Sequence, residues 1–354
     1  MWINNRGYMQ ERIEDPNTGL VKVVSVKCSG NSVKARDEAY RALQDKIKRL
    51  SESRFRFFDT LDVYLSEMQK EWKPSTYTHE ASHFRQIKKI LGDAYLDKMT
   101  AGLIRAKFIE TGKNNHTLND YQYTIKAFWR WAYRNDFVKS QELADKLTSF
   151  REPPRKERIQ DKYLETYEIK RLLTAMADTR FRLLSKLAIL TGMRIGEIQA
   201  LEDSDVWGSI IRVNKTYDRM NRIVTSPKSL ESKREIHIQP ELRVCIDQIR
   251  EYKSIIGYDG PLFFPDTNGK RIDYSNYNDY LENVSLGALG RKITPHIFRH
   301  THCSILVMNG LSYEAIMARL GHSDSKVTKQ IYTHRMKELK EKENRQIDAI
   351  KLLS

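Results

Sequence analysis

Two short segments near the start of the chain alternate apolar and polar residues, and most of the remaining chain repeats at helical spacing. Gly7–Arg12 and Leu20–Lys27, the second containing V-K-V-V-S-V-K, predict two strands, with E-D-P-N-T-G as the turn of a hairpin. Ser32 is placed to cap a helix reaching Leu50 that carries Lys34, Arg36, Arg41, Lys46, Lys48 and Arg49. A hairpin with one helix is marginal alone, so this unit reads either as an appended nucleic-acid contact module or as a surface decoration. From Phe55 to Phe150 the segments F-F-D-T-L-D-V-Y-L-S-E-M, H-F-R-Q-I-K-K-I-L-G and T-L-N-D-Y-Q-Y-T-I-K-A-F-W-R-W-A-Y all carry helical apolar spacing. They predict an all-helical bundle with Phe128, Trp129 and Trp131 in its core and Arg85, Lys88, Lys89, Lys126, Arg130 and Arg134 on its faces. Residues 151–162, R-E-P-P-R-K-E-R-I-Q-D-K, pair prolines with dense charge and predict a linker.

Beyond Tyr163 the pattern mixes periods. E-I-K-R-L-L-T-A-M is helical, without a capping box at Thr166 because Ile169 is the residue three positions on. An apolar helix, Phe181–Leu190, stops at Thr191-Gly192, and M-R-I-G-E-I-Q-A-L opens another. S-I-I-R-V-N-K-T-Y, N-R-I-V-T-S and K-R-E-I-H-I read as strands, the last two separated by S-P-K-S-L-E-S. Helices resume at Pro240–Ser254 and Tyr274–Leu289. Thr294-Pro295 then starts a helix through Met308, stopped by Asn309-Gly310. Ser312 caps Y-E-A-I-M-A-R-L, a short helix holds Tyr332, and a charged helical tail runs from Arg335 to Leu353. The chain reads as multidomain and mainly α with small β-sheets: 1–53, 54–150, a linker at 151–162, a mixed α+β domain at 163–334, and a tail at 335–354.

Charge narrows the function. The 354 residues carry 61 Lys and Arg against 46 Asp and Glu, a net charge of +15, which points to a polyanionic partner, most often nucleic acid. No apolar run approaches the ~18–20 residues that span a bilayer, and M-W-I-N-N-R lacks a signal-peptide core, so a cytoplasmic protein is expected. Cys28, Cys245 and Cys303 form no C-x-x-C pair, which speaks for a reducing compartment and against a zinc ribbon or disulfide framework.

The basic residues of the second half fall where chemistry could use them. His296 and Arg299 are three apart on one helix face, at an N-terminus whose free N–H groups suit an anion. Arg194 opens a helix, Lys228 sits in a turn between strands, His322 comes after a helix-stopping glycine, and Tyr332 lies ten residues later. Two arginines from different elements can hold one phosphodiester without metal. A lysine with a lowered pKa can protonate a leaving oxygen, and a cationic site activates a tyrosine nucleophile. Lys233 and Arg234, the rivals of Lys228, lie inside the next strand and suit backbone or phosphate contact better than proton transfer. His300, His302 and His334 have no Cys or carboxylate box beside them, so no metal is expected. Tyr163, Tyr217 and Tyr313 fit the apolar pattern and read as structural.

These boxes resemble the tyrosine recombinase family of the phage-integrase type. T-G-M-R-I-G-E, S-P-K-S before S-K-R-E-I-H-I, H-I-F-R-H, L-G-H-S and I-Y-T-H keep the family's order and spacing, with Phe298 where Leu is usual. The resemblance implies a small arm-type DNA-binding module, a helical SAM-like core-binding domain and a mixed α+β catalytic domain. By it Tyr332 forms a 3′-phosphotyrosyl link, Arg194 and Arg299 hold the phosphate, Lys228 is the general acid, and His296 and His322 assist. Glu197 and His300 are supporting residues. The implied partners are double-stranded DNA and three further copies of the chain, with room for an excisionase or DNA-bending factor and no membrane. No cofactor is implied. Competing readings are a type IB topoisomerase-like strand cutter, a Xer-type resolvase, and a non-catalytic DNA-binding regulator on the same scaffold.

Overall fold

The computed structural model describes residues 1–14, 21–30, 32–51, 55–152, 159–227, 232–321 and 326–350. They form two compact units, divided between Pro154 and Arg155.

The first unit opens with a three-stranded antiparallel sheet, β1 (Trp2–Ile3), β2 (Tyr8–Glu14) and β3 (Val21–Lys27), in which Tyr8 pairs with Lys27 and Glu14 with Val21. The two predicted strands are there; β1 is an addition too short for its alternation to be read, and the expected turn lies outside the described residues. Helix α1 (Val33–Ser51) covers one face, burying Ala39 and Leu43 against Met9 and Val24. The Ser32 hydroxyl accepts the Ala35 N–H at 3.2 Å, as its capping role requires.

The bundle has its own core. Helices α2 (Phe57–Glu71), α3 (Pro74–Leu91), α4 (Ala101–Glu110), α5 (Asn115–Arg134) and α6 (Glu142–Lys146) enclose Phe57, Tyr64, Phe84 and Phe128 with Trp129 and Trp131. Both indole N–H groups find acceptors, Trp129 on the Ser140 carbonyl at 3.0 Å and Trp131 on Glu67 at 3.1 Å, so the rings are buried at no polar cost.

The second unit runs through α7 (Thr166–Ala175), α8 (Thr179–Thr191) and α9 (Ile195–Ala200) into β4 (Val206–Trp207) and β5 (Ile210–Val213). A two-stranded ribbon comes next, β6 (Thr216–Asp218) with β7 (Ile223–Thr225); β8 (Arg234–His237) then returns to pair with β5. Five helices complete it: α10 (Pro240–Ile255), α11 (Tyr274–Leu289), α12 (His296–Met308), α13 (Tyr313–Leu320) and α14 (Lys326–Asp348).

Three local expectations change. α7 starts from Glu165, whose N–H is taken by the Glu168 carboxylate at 2.9 Å, so the box sits one residue ahead of Thr166. Residues 159–162, read as linker, form a 3-10 turn in the second unit, where Arg291 donates to the Asp161 carbonyl at 2.7 Å. The helix of Tyr332 and the charged segment after it are one helix, because Arg335 at their junction is buried and bonded to Ser304, Glu338 and Glu165 at 2.6, 2.6 and 2.8 Å. Among the described residues no helix is long and apolar enough to cross a membrane.

Candidate active site

Four chain segments meet at a cleft of about 180 Å³ whose walls include Arg194, Gly196, Arg219, Tyr274, His296 and Arg299. Its construction starts from two glycines. Gly192 ends α8 in the left-handed conformation at φ 67°, and a Cβ there would lie 2.7 Å from His302 and 2.8 Å from Leu320. Gly196, in the first turn of α9, lies so close to β6 that a Cβ would meet the Thr216 hydroxyl at 2.9 Å and the Tyr217 carbonyl at 3.1 Å. The spacing in T-G-M-R-I-G-E thus lets α12 and the β6–β7 ribbon approach Arg194 from opposite sides.

Each arginine of the cleft is oriented from behind. Arg194 donates to Glu197 through its side chain at 2.8 Å and its backbone N–H at 2.9 Å. Glu197, 3 % exposed, is also gripped by Arg234 at 2.9 and 3.2 Å. Burial alone would raise the Glu197 pKa, but the Arg234 bonds and the charges of Arg234, Arg299 and Arg194 outweigh it and hold the carboxyl below its ordinary range. Arg299, 2 % exposed, donates to the carbonyls of Gly192 and Leu320 at 2.7 and 2.5 Å. Burial, then Arg194, pulls its pKa down to about 9, which leaves it charged at neutral pH. Arg219 stacks on Tyr274 at 3.6 Å, a cation–π contact that holds a third guanidinium at the mouth. With one carboxylate behind three wall arginines, the cleft is an anion site.

The histidines divide into two kinds. His296 is exposed on the wall; desolvation, then Arg299 and Arg194, lowers its pKa. Its ring meets that of half-buried His300 edge-on at 4.7 Å, and burial, then His296 and Arg299, takes His300 down to about 3. His302 is buried, with Nδ1 2.8 Å from the Ile189 carbonyl and Nε2 accepting from Arg319 at 3.1 Å. Nδ1 therefore carries the proton, and neither nitrogen offers a lone pair to a metal. Burial and Arg319 bring His302 to about 3. Both pKa values lie below the ordinary 6.5, so the unfolded chain takes up protons first as pH falls. The contribution of these two histidines to stability is full above pH 6.5 and is lost as pH falls from there toward 3. Thermal unfolding across that window is expected to show this slope, and His300→Gln to flatten it; an unchanged slope in that variant would rule out His300 as a source of the pH dependence.

Of the expected site residues, Arg194, Glu197, His296, Arg299 and His300 are brought together here. Lys228 and His322 lie outside the described residues. Tyr332 is on α14, half-buried, its ring edge-on to Tyr313 at 5.2 Å, and is not among the described walls of the cleft. A larger groove of about 1070 Å³ runs along α14 past Lys162, Gln330 and His334; among the described residues none of the expected catalytic side chains lines it, so size does not mark the chemistry. Arg234 takes the backbone side of its reading, its Nε donating to the Arg319 carbonyl at 2.8 Å, while both terminal nitrogens go to Glu197, a partner the sequence did not suggest. The strand pattern did show it pointing inward, alternating with exposed Glu235. Arg219 and Arg319 gave no signal, one in a turn and one as a lone charge in a last helical turn.

Residues 162–338 match the phage integrase family. The chain belongs to the phage integrase family. Its enzyme class is that of the tyrosine site-specific recombinases. It is 26 % identical to the prophage ps2 probable integrase of Lactococcus lactis subsp. lactis (strain IL1403), over 94 % of this chain and 96 % of that one. It is 25 % identical to the ICEBs1 integrase of Bacillus subtilis (strain 168), over 81 % of each chain. Its fold is similar to that in the crystal structure of a lambda integrase tetramer bound to a Holliday junction, with a TM-score of 0.63 at 20 % identity, over 94 % of this chain and 95 % of that one.

Proposed function

We propose that this integrase cuts and rejoins double-stranded DNA through Tyr332, integrating and excising a mobile element. The observation that carries this is the pair of guanidiniums, Arg194 and Arg299, presented to one cleft by separate buried anchors. A scissile phosphate held there has its two non-bridging oxygens matched by two forked donors that stay charged at neutral pH. The Tyr332 oxygen attacks phosphorus, the P–O5′ bond breaks, and the protein keeps a 3′-phosphotyrosyl link. Lys228 delivers a proton to the departing 5′ oxygen, and His296 and His322 hydrogen-bond the phosphate as charge builds. His300 braces His296 by ring contact. The freed 5′-hydroxyl of a partner strand then attacks the phosphotyrosine and regenerates Tyr332, so one phosphodiester is exchanged for another with no nucleotide cofactor.

Four copies acting in two rounds around a four-way junction fit this chemistry, as do an excisionase or DNA-bending partner that sets direction. The tail after Arg335, exposed over 341–350, is proposed to dock on a neighbouring copy. The N-terminal sheet, with Arg12 over Trp2 at 5.7 Å, is proposed to contact a second class of DNA site. The test is covalent capture. The protein is incubated with genomic duplex fragments in EDTA and denatured in SDS, and the linked DNA is sequenced. Adducts joined at a 3′ end and enriched for one sequence are expected. Bound DNA with no adduct would favour a regulator on this scaffold.

A further inference from the structure

We propose that α3 carries a binding site for a divalent transition-metal ion, made by His79, Glu80 and His83 in the stretch H-E-A-S-H. The three side chains each offer a ligand atom, and those atoms lie within 4.8 Å of one another. His79 and His83 are four residues apart and share a helix face, their ring centroids 4.2 Å apart.

The hydrogen bonds around the cluster set the His83 imidazole for coordination. The hydroxyl of buried Thr124, on α5, donates to Glu80 Oε2 at 2.8 Å. A hydroxyl has one proton, so the 3.2 Å contact between His83 Nδ1 and the same oxygen requires Nδ1 to be the donor. His79 Nδ1 faces Glu80 Oε1 at 3.4 Å, and an ionised carboxylate only accepts. His83 therefore carries the proton on Nδ1 and a lone pair on Nε2, and exposed His79 exchanges its Glu80 contact for the metal when its side chain turns. A histidine whose other nitrogen donates to an oxygen acceptor is the usual arrangement behind a metal ligand.

Two imidazoles and a carboxylate suit Zn²⁺, Co²⁺, Ni²⁺ or Cu²⁺. Zn–N bonds of about 2.0–2.1 Å place tetrahedral ligands about 3.3 Å apart, a closure that rotation of the exposed His79 side chain can supply. The same letters mark zinc peptidases, where the glutamate is a general base. Here Glu80 is itself a ligand, with Oε2 also accepting from Thr124, and no fourth His, Cys, Asp or Glu joins the group among the described residues. The site is therefore a clasp, which ties the exposed face of α3 through Thr124 to α5.

The probe is Co²⁺ added to full-length protein stripped with EDTA, then visible absorption, with Zn²⁺ titration calorimetry and thermal unfolding in parallel. One equivalent of Co²⁺ with ligand-field bands, displaced by Zn²⁺, and a rise in Tm with Zn²⁺ are expected. His79→Gln with His83→Gln should abolish all three, and His116→Gln should change none. Thr124→Val, which keeps the packing and every ligand, should weaken binding roughly 10–100-fold. If the double variant loses its helical signal, the single change at exposed His79 gives the same reading. Equal uptake by wild type and the His79 variant, or no bands in wild type, would overturn the site and leave the three residues as a hydrogen-bonded helix contact.

Discussion

A Tyr332→Phe chain is expected to bind DNA as the wild type does and to form no covalent adduct. The ring of Tyr332 packs edge-on against Tyr313 and belongs to the cluster of Cys303, Ile316, Leu320 and Ile331, and phenylalanine keeps all of that. Only the phenolic oxygen, the proposed nucleophile, goes. On the scale of removing a nucleophile in another covalent enzyme the loss is about 10⁶-fold, so the adduct disappears at any practical exposure. Denaturing gels of labelled duplex read the adduct, and a mobility shift reads binding. An adduct that persists in the variant would move the chemistry to another tyrosine, and a loss of binding would show that the hydroxyl serves recognition instead.

The second large effect concerns stability. Glu197→Ala removes the shared acceptor of Arg194 and Arg234 and leaves the Arg234 guanidinium, its side chain 4 % exposed, without its counter-charge. Breaking a buried pair from one side costs about 3–5 kcal/mol. Glu197→Gln keeps an acceptor oxygen and the volume, and should cost less. Because the Glu197 pKa is depressed in the folded chain, its contribution is present above the ordinary glutamate range and lost as pH falls through the depressed value. The gap between wild type and variant in urea midpoint should therefore be full near neutrality and shrink in acid. A gap that stays constant into strong acid would show that the carboxylate's charge is not what holds the arginines.

The range of the forces involved decides which features are legible in the sequence. Helix ends set by a local glycine or a hydroxyl cap are legible: Gly192 after α8, Ser32 before α1 and Ser312 before α13 all end or start helices where their chemistry says they should. The bundle core is legible because Leu118, Tyr121, Ile125, Phe128 and Ala132 recur at steps of three and four residues, the spacing of one helix face. Partnerships across the chain are not. Nothing near Arg234 in sequence says that its acceptor is Glu197, 37 positions earlier, or that the Gly192 carbonyl will take an N–H from Arg299, 107 positions later. The H-E-A-S-H letters are visible in sequence, but the partner that orients them is not, since Thr124 lies on another helix, 41 residues beyond His83.

The unbroken course of α14 has a mechanical consequence. Its 23 residues make a rod about 34 Å long, with Tyr332 in its second turn and Arg335 clamped to Ser304 and Glu165 just beyond. Whatever grips the exposed end of that rod acts on a lever whose fulcrum is Arg335, and the short arm holds Tyr332, the proposed nucleophile. On the proposed docking, a neighbour's touch about 20 Å along the rod from that fulcrum would displace one phenolic oxygen without any signal passing through the cleft itself.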